Sequence, residues 1–165
     1  MTTTIRLDKT DAKLLQAALH QFFDFNEKKI VGTAKTPGES TGSFMWPVPH
    51  THNITSYMEW RWGRMHNGID MGCPAMTPIY ASRGGQVEIA QYSTTAGNYV
   101  QINHHDGFSS IYMHLSSIGV SAGQHVSAGQ YIGATGSTGV STGDHLHFGI
   151  ALNGVYVNPC SYVPL

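Results

Sequence analysis

Residues 145–150, HLHFGI, carry the clearest strand pattern in the chain. Their histidines alternate with apolar residues, and a period of two is typical of a β-strand with one buried face. Leu146 and Phe148 should then point into the core, and His145 and His147 should point away from it. The stretch therefore predicts a strand that presents two imidazoles on one surface of a sheet.

Similar β-rich runs separated by glycines fill the chain after Phe44. They are PIYA (78–81), QVEIA (86–90), YVQI (99–102), SIYMH (110–114) and QYIG (130–133). They lie about 8 to 15 residues apart with no helical period between them, which favours antiparallel sheets with tight turns over βαβ units. The segment VSAGQ occurs at 120–124 and again at 126–130, which indicates a local hairpin repeat. The sequence predicts a mainly β fold.

The beginning of the chain has a different texture. Apolar residues recur at helical spacing between Asp8 and Phe23, which predicts one amphipathic helix. Residues 26–42 have no period and are typical of a linker. We therefore expect an N-terminal helix and linker in residues 1–42 and a β domain in residues 43–165.

Composition excludes several classes of function. The 165 residues include nine Lys and Arg against ten Asp and Glu, with no basic run, so we expect no nucleic-acid partner. No stretch approaches the roughly 18 apolar residues of a membrane helix, and no secretory signal is visible at the start. We expect a monomeric domain that does not insert into a membrane, with an export route that the sequence does not show.

The two cysteines, Cys73 and Cys160, do not form a CxxC pair. A thiolate zinc site is therefore not expected. One disulfide bridge and two separate reduced thiols both fit the sequence.

A second group of polar residues joins the histidines of the HLHFGI strand. The segment HNGID places His66 and Asp70 in a loop that runs into a strand, because Gly68 interrupts a helical reading. Two imidazoles and one carboxylate form a nitrogen-rich ligand set that suits Zn²⁺ with one position open, and the same set occurs in non-haem iron oxygenases. We also expect Tyr112 and His114 to share one face of a neighbouring strand.

The order and spacing of four segments resemble the lysostaphin-type, or LytM-like, zinc metallopeptidases. The segments are HNGID (66–70), YMHL (112–115), GATGSTG (133–139) and HLHF (145–148), and the resemblance extends from about Phe44 to Tyr162. These proteins are peptidoglycan endopeptidases of bacterial cell walls and phages. The resemblance implies a small antiparallel β fold of the duplicated hybrid motif type, with a groove across the sheet.

The resemblance also implies roles for five residues. It makes His66, Asp70 and His147 ligands of Zn²⁺, and His114 and His145 catalytic histidines. It implies a zinc endopeptidase that acts on peptidoglycan peptides, in an extracellular, cell-wall or phage-associated location.

The sequence departs from these relatives in two places. Residues 57–62 are bulky and aromatic where relatives often have Gly-Phe-Gly, so we expect this stretch to wall the groove. Asp144 stands where relatives commonly have Pro, and we expect it to be a solvated turn residue rather than a partner of a neighbouring histidine.

The residues argue against three other functions. A catalytically silent LytM-like module that binds or activates a partner would not need the five residues. An iron oxygenase usually needs a cation for its cosubstrate, and Arg83 is the only basic residue after Arg64. A carbohydrate-cleaving enzyme usually needs paired carboxylates, and acids are sparse here. We therefore expect the peptidase.

Overall fold

The computed structural model describes residues 43–165, so the predicted helix and linker lie outside the described residues. No helix in this part of the chain is long and apolar enough to cross a membrane. From Ser43 to Leu165 the chain forms a short 3-10 helix at Pro159–Ser161 and thirteen strands: β1 (Ile54–Ser56), β2 (Trp60–Arg61), β3 (Arg64–Met65), β4 (Ile69–Gly72), β5 (Pro78–Tyr80), β6 (Gly85–Ser93), β7 (Gly97–Asn103), β8 (Phe108–Leu115), β9 (Ser117–Ile118), β10 (His125–Val126), β11 (Tyr131–Ala134), β12 (His145–Leu152) and β13 (Val155–Val157). The predicted mainly β fold is confirmed.

The strands form one large and two small antiparallel sheets. The large sheet has the order β1-β4-β12-β8-β7-β6-β10, and β13 also pairs with β12. The small sheets are β5-β11-β9 and the hairpin β2-β3. The HLHFGI strand is β12, which lies between β4 and β8 and therefore holds its histidines near the middle of the large sheet.

The alternation along β12 separates core from surface as predicted. Leu146, Phe148 and Ile150 are fully buried. They belong to one core cluster that also receives Val48 and Val163 from the two ends of the described chain. Burial of large side chains of this kind contributes roughly 1.5–3 kcal/mol each, so the core fixes which face of β12 meets solvent.

The prediction that Tyr112 shares a face with His114 is wrong. Tyr112 is fully buried, and its ring lies 5.3 Å from that of its direct cross-strand partner Phe148. Met113, the partner of His147, takes the opposite face and lines the groove described below. Direct cross-strand partners share a face, so Tyr112 belongs to the core.

A β-bulge explains how His114 nevertheless reaches the groove. Tyr112 pairs with Val100 and Leu115 pairs with Asn98, so Met113 and His114 of β8 together lie opposite the single residue Tyr99 of β7. The extra residue breaks the alternation of faces. His114 has a φ of 65°, which turns its side chain to the same side of the sheet as Met113.

The repeated VSAGQ segment forms two copies of one turn rather than a hairpin of its own. In the first, Ser121 N–H donates to Gln124 Oε1 and Gln124 N–H donates to Ser121 O, each over 3.1 Å. Ser127 and Gln130 make the same pair of bonds over 3.1 and 3.0 Å. The repeated sequence therefore reflects the same hydrogen-bonded turn formed twice.

Both cysteines are free thiols. Cys73 is buried and Cys160 is partly buried. The sequence allowed either one disulfide bridge or two separate thiols, and the structure has two separate thiols.

Candidate active site

Three side chains converge at the junction of β4 and β12. Asp70 and His147 are direct cross-strand partners, and His66 lies in the loop that leads into β4. Asp70 Oδ1 lies 2.9 Å from His147 Nδ1 and 3.1 Å from His66 Nε2, and the two ring nitrogens are 3.0 Å apart. These residues offer the one group in residues 43–165 that brings together ligand atoms suited to a metal ion.

Gly68 allows the loop to close over the strand. A Cβ at this position would lie 2.8 Å from His147 Nε2 and 2.5 Å from the carbonyl oxygen of Phe148. Real Cβ atoms do not approach other heavy atoms so closely, so any other residue would push the loop away. The glycine of HNGID therefore determines how near His66 comes to His147.

Contacts from behind orient two members of the group. The Nδ1–H of His66 donates to the carbonyl oxygen of Tyr57 over 2.8 Å, which leaves the lone pair of Nε2 facing Asp70 and His147. On the other side, Arg61 Nη2 donates to Asp70 Oδ2 over 3.3 Å. Such outer contacts fix tautomers and ring orientation in metal sites.

The electrostatics favour an ionised Asp70 carboxylate beside a neutral His147 imidazole. Burial alone would raise the pKa of Asp70, but hydrogen bonds with His147 and His66 hold it well below its usual range. Burial lowers the pKa of His147 despite the opposing effect of Asp70. A deprotonated carboxylate and neutral imidazoles are the forms that bind metals.

Two further histidines stand beside this group. The Nδ1–H of His145 donates to Gly143 O over 2.8 Å, and that of His114 donates to Thr138 O over 2.9 Å. The rings of His114 and His145 lie 4.8 Å apart, and His145 Nε2 is 3.7 Å from Asp70 Oδ1. Both rings line the groove with Nε2 unclaimed by the backbone contact, so both can exchange a proton with a bound molecule.

Burial also affects the ionisation of His114. It lowers the pKa of the ring, although the bond to Thr138 O acts in the opposite direction. The neutral form therefore dominates near pH 7, and a neutral imidazole can accept a proton.

A contact between the start of β7 and the glycine-rich GATGSTG segment positions His114. A Cβ on Gly97, the first residue of β7, would overlap Thr138 of that segment, so only glycine allows the contact. Asn98 N–H donates to Thr138 Oγ1 over 3.0 Å, and Thr138 Oγ1 donates to Leu115 O over 2.7 Å. Thr138 is thereby fixed where its carbonyl oxygen meets His114.

The site lies in an open groove of about 730 Å³. All five residues singled out from the sequence line it, together with Arg61, Trp62, Arg64, Met65, Asn67, Thr95, Ala96, Met113, Val140, Ser141, Thr142 and Tyr156. Of the aromatic side chains between 57 and 62, only Trp62 reaches the lining. Asp144 is exposed and forms no hydrogen bond or ion pair within residues 43–165, as expected of a turn residue.

Sequence reasoning did not single out Arg61 and Thr138. Arg61 lies in the stretch regarded only as an aromatic wall, and Thr138 lies in a motif valued for its glycines. Their roles depend on pairing between distant segments, so no local pattern identifies them.

Comparisons with known proteins identify a family for this chain. The profile described as peptidase family M23 matches residues 64–159, which is more than half of the chain and contains all five site residues. The peptidoglycan DD-endopeptidase ShyA of Vibrio cholerae is 46% identical over 93 residues, which cover 56% of this chain and 22% of that protein. The chain thus corresponds to a small part of this relative.

Solved structures show the same fold. A zinc containing peptidase from Vibrio cholerae superimposes with a TM-score of 0.66 and 35% identity, over 70% of this chain and 39% of that one. The catalytic domain of the antimicrobial peptidase lysostaphin from Staphylococcus simulans gives a TM-score of 0.60 and 33% identity, over 69% of this chain and 92% of that one. The lysostaphin-like resemblance is confirmed, and the chain belongs to peptidase family M23.

Proposed function

We propose that residues 43–165 form a zinc-dependent endopeptidase domain that hydrolyses peptide bonds in bacterial peptidoglycan. The supporting observation is the convergence of His66 Nε2, Asp70 Oδ1 and His147 Nδ1 beside two further imidazoles in one open groove. The names of the relatives, a peptidoglycan DD-endopeptidase and a zinc containing peptidase, point to the same chemistry.

The donor set fits zinc. Two ring nitrogens and a carboxylate oxygen lie about 3 Å from one another, and their lone pairs repel unless protons or a cation lie between them. Ca²⁺ and Mg²⁺ prefer more oxygen ligands, whereas Zn²⁺ is commonly held by this mixture. When bound, zinc would act as a Lewis acid and would lower the pKa of a coordinated water.

The two remaining histidines supply the proton transfers. Their Nδ1 atoms are committed to Thr138 O and Gly143 O, so their Nε2 atoms act on the substrate. One ring, neutral with a lone pair on Nε2, would accept the proton that water loses on attack and would then pass it to the nitrogen of the departing amine. The other ring, when protonated on both nitrogens, would donate from Nε2 to the oxygen of the scissile carbonyl as that oxygen gains charge. The rings are 4.8 Å apart, close enough to act on the same amide.

No carboxylate competes for the role of base. Asp70 is the only acidic side chain along the groove within the described residues. Its Oδ1 lies beside His66, and Arg61 donates to its Oδ2. The same fact argues against cleavage of glycosidic bonds, which usually requires two carboxyl groups flanking the bond.

The substrate would place the protein outside the cytoplasmic membrane, in the periplasm, at the cell wall or on a phage. The five residues of the mechanism all lie between 66 and 147. We therefore assign the chemistry to residues 43–165 and none of it to residues 1–42.

Metal content and product analysis test the proposal together. Elemental analysis of the mildly purified chain should find one zinc per molecule. Incubation with several chemically defined peptidoglycans, followed by mass spectrometry, should reveal released fragments with a newly cleaved peptide bond. A His125→Ala variant is the matched control, because His125 is an exposed imidazole on β10 outside the groove.

Three outcomes would contradict the proposal. They are iron as the bound metal, no metal after zinc has been supplied, or intact peptidoglycan after incubation with the zinc-loaded chain. The last outcome with zinc present would favour a silent module that binds a partner.

A further inference from the structure

Two arginines face each other across the β2-β3 hairpin at the edge of the groove. Arg61 and Arg64 are direct cross-strand partners on either side of the turn formed by Trp62 and Gly63, which have φ angles of 48° and 76°. Like charges in this relation destabilise a strand pair. An anion bound beside Arg64 would relieve this repulsion.

Cations are few in the described residues, and most of them already have an acidic partner. Residues 43–165 hold three arginines and no lysine. Arg83 pairs with Asp106, and Arg61 pairs with Asp70. Arg64 is exposed and has no acidic partner or hydrogen bond within this range. It is therefore the one cation of the described domain whose charge is not matched.

Asp70 cannot serve both arginines. Its Oδ1 is taken by His66 and His147, and its Oδ2 by Arg61. Since Asp70 is the only acid along the groove within the described residues, the wall that contains Arg64 keeps an excess positive charge.

We propose that Arg64, supported by Arg61 across the hairpin, binds a free carboxylate of the substrate peptide. This inference rests on the proposed function and narrows it to peptides with a carboxylate near the bond that is cleaved. A guanidinium suits the role because its forked N–H groups match the two oxygens of a carboxylate. Arg64 is thus a substrate-binding residue, whereas Arg61 is already engaged with Asp70.

Stem peptides with lysine at the third position, which are the ones used in the test below, offer two sources of such a carboxylate. One is the C-terminal carboxylate of a terminal D-Ala, and the other is the α-carboxylate of D-Glu, which is free when its side chain forms the peptide bond. Amidation removes the charge at either position and preserves the shape of the peptide, so matched peptides can separate the two.

The first experiment measures hydrolysis by the full zinc-loaded chain. Three synthetic cross-linked stem-peptide dimers are compared: one with all carboxylates free, one with the C-terminal D-Ala amidated, and one with D-Glu amidated. We expect one amidation to lower kcat/KM by at least about tenfold, mainly through KM, because a charged hydrogen bond away from the reacting atoms contributes to binding.

Arg64 variants then assign the preference. In Arg64→Gln, the free and amidated peptides should have equal kcat/KM within about twofold, and Arg64→Lys should restore part of the preference. The control is Gln91→Glu, which changes the net charge by the same amount at an exposed position of β6 outside the groove. It should keep the preference of the parent chain. Melting temperatures check that all variants fold.

Equilibrium binding separates this inference from the proposed function. Calorimetric titration with the same peptides should show the same tenfold difference in Kd, lost in Arg64→Gln. A chain that binds through Arg64 without hydrolysis would overturn the peptidase proposal and keep this one. Equal binding and equal hydrolysis of all three peptides, or an Arg64→Gln variant with an undiminished preference, would overturn the carboxylate site. A chain that neither binds nor hydrolyses them would overturn both.

Discussion

Histidines occupy two very different environments in this domain. His104 is fully buried, and both of its nitrogens have protein partners: Nδ1 donates to Gly84 O over 2.8 Å, and Nε2 is 3.0 Å from Ser110 Oγ. In the groove, His114 and His145 each commit only Nδ1 to a carbonyl oxygen. A histidine with both nitrogens satisfied by the protein is structural, whereas one with a free nitrogen facing an open groove is available for proton transfer.

His104 belongs to a chain of hydrogen bonds with one direction. Because Nδ1 donates to a carbonyl, Nε2 must accept from the Ser110 hydroxyl, which in turn accepts from Tyr112. Tyr112 Oη accepts the N–H of Ser82 over 2.8 Å. The chain ties the 82–84 loop to β8, and burial lowers the pKa of His104 to about 4.

The largest expected effect follows from replacing one of the three residues proposed to bind zinc. His66→Ala, Asp70→Ala and His147→Ala should each remove zinc and reduce hydrolysis to background, because two remaining ligands hold zinc poorly. Elemental analysis and peptidoglycan hydrolysis measure the two effects, with His125→Ala as the unaffected control. A variant that keeps stoichiometric zinc and activity would remove that residue from the ligand set.

The next effect separates catalysis from metal binding. His114→Ala and His145→Ala should lower kcat by about 10² to 10⁴ while zinc occupancy stays near one, since the role proposed for them is proton transfer and oxyanion stabilisation. Loss of zinc from His145→Ala would show that the division of roles between His145 and His147 is wrong.

The buried histidine should instead control stability as a function of pH. The unfolded chain protonates this ring below pH 6.5, but the folded chain does so only near pH 4. The contribution of His104 to the free energy of unfolding is therefore complete above pH 6.5 and is lost as the pH falls towards 4, by on the order of 3 kcal/mol.

Denaturant titrations at several pH values measure this loss. His104→Gln cannot titrate, so its free energy of unfolding should fall less between pH 7 and pH 4 than that of the parent chain. When the two chains have equal zinc occupancy, the contribution of the groove residues to the pH dependence of the free energy of unfolding cancels in the comparison. Parallel pH profiles for the two chains would contradict the proposed role of His104.

The smallest expected effect is that of removing residues 1–42. Both histidine environments are built from residues between 43 and 165, so a chain starting at Ser43 should fold, bind zinc and hydrolyse peptidoglycan within a few-fold of the full chain. Zinc content, melting temperature and hydrolysis rate are the measurements. Failure to fold would place the N-terminal residues in the domain, and a rise in activity would identify them as an inhibitory segment.

Local patterns predicted what local geometry controls. The alternation in HLHFGI fixed the faces of β12 because a period of two needs only neighbouring residues. The same rule failed at Tyr112, because the bulge at His114 depends on the register between β8 and β7. Pairing between strands is not visible in either strand alone.

The hairpin β2-β3 was missed for a related reason. Its two-residue turn is Trp62-Gly63, and tryptophan at positive φ is uncommon where Asn or Asp usually precedes the glycine. The stretch therefore showed only its aromatic character. The arginines that face the groove became apparent once the pairing of Arg61 with Arg64 was known.

Gly68 has a consequence for how such domains are recognised and engineered. A Gly68→Ala chain would keep every side chain of the site, yet the added methyl group would meet His147 Nε2 and the backbone of Phe148 and force the loop outward. A single added methyl group would thus displace His66 from His147 while all five site residues remain in the sequence. Sequence searches for intact sites should therefore require this glycine together with the five site residues, and Gly68→Ala offers a way to disrupt the site without altering any of those five side chains.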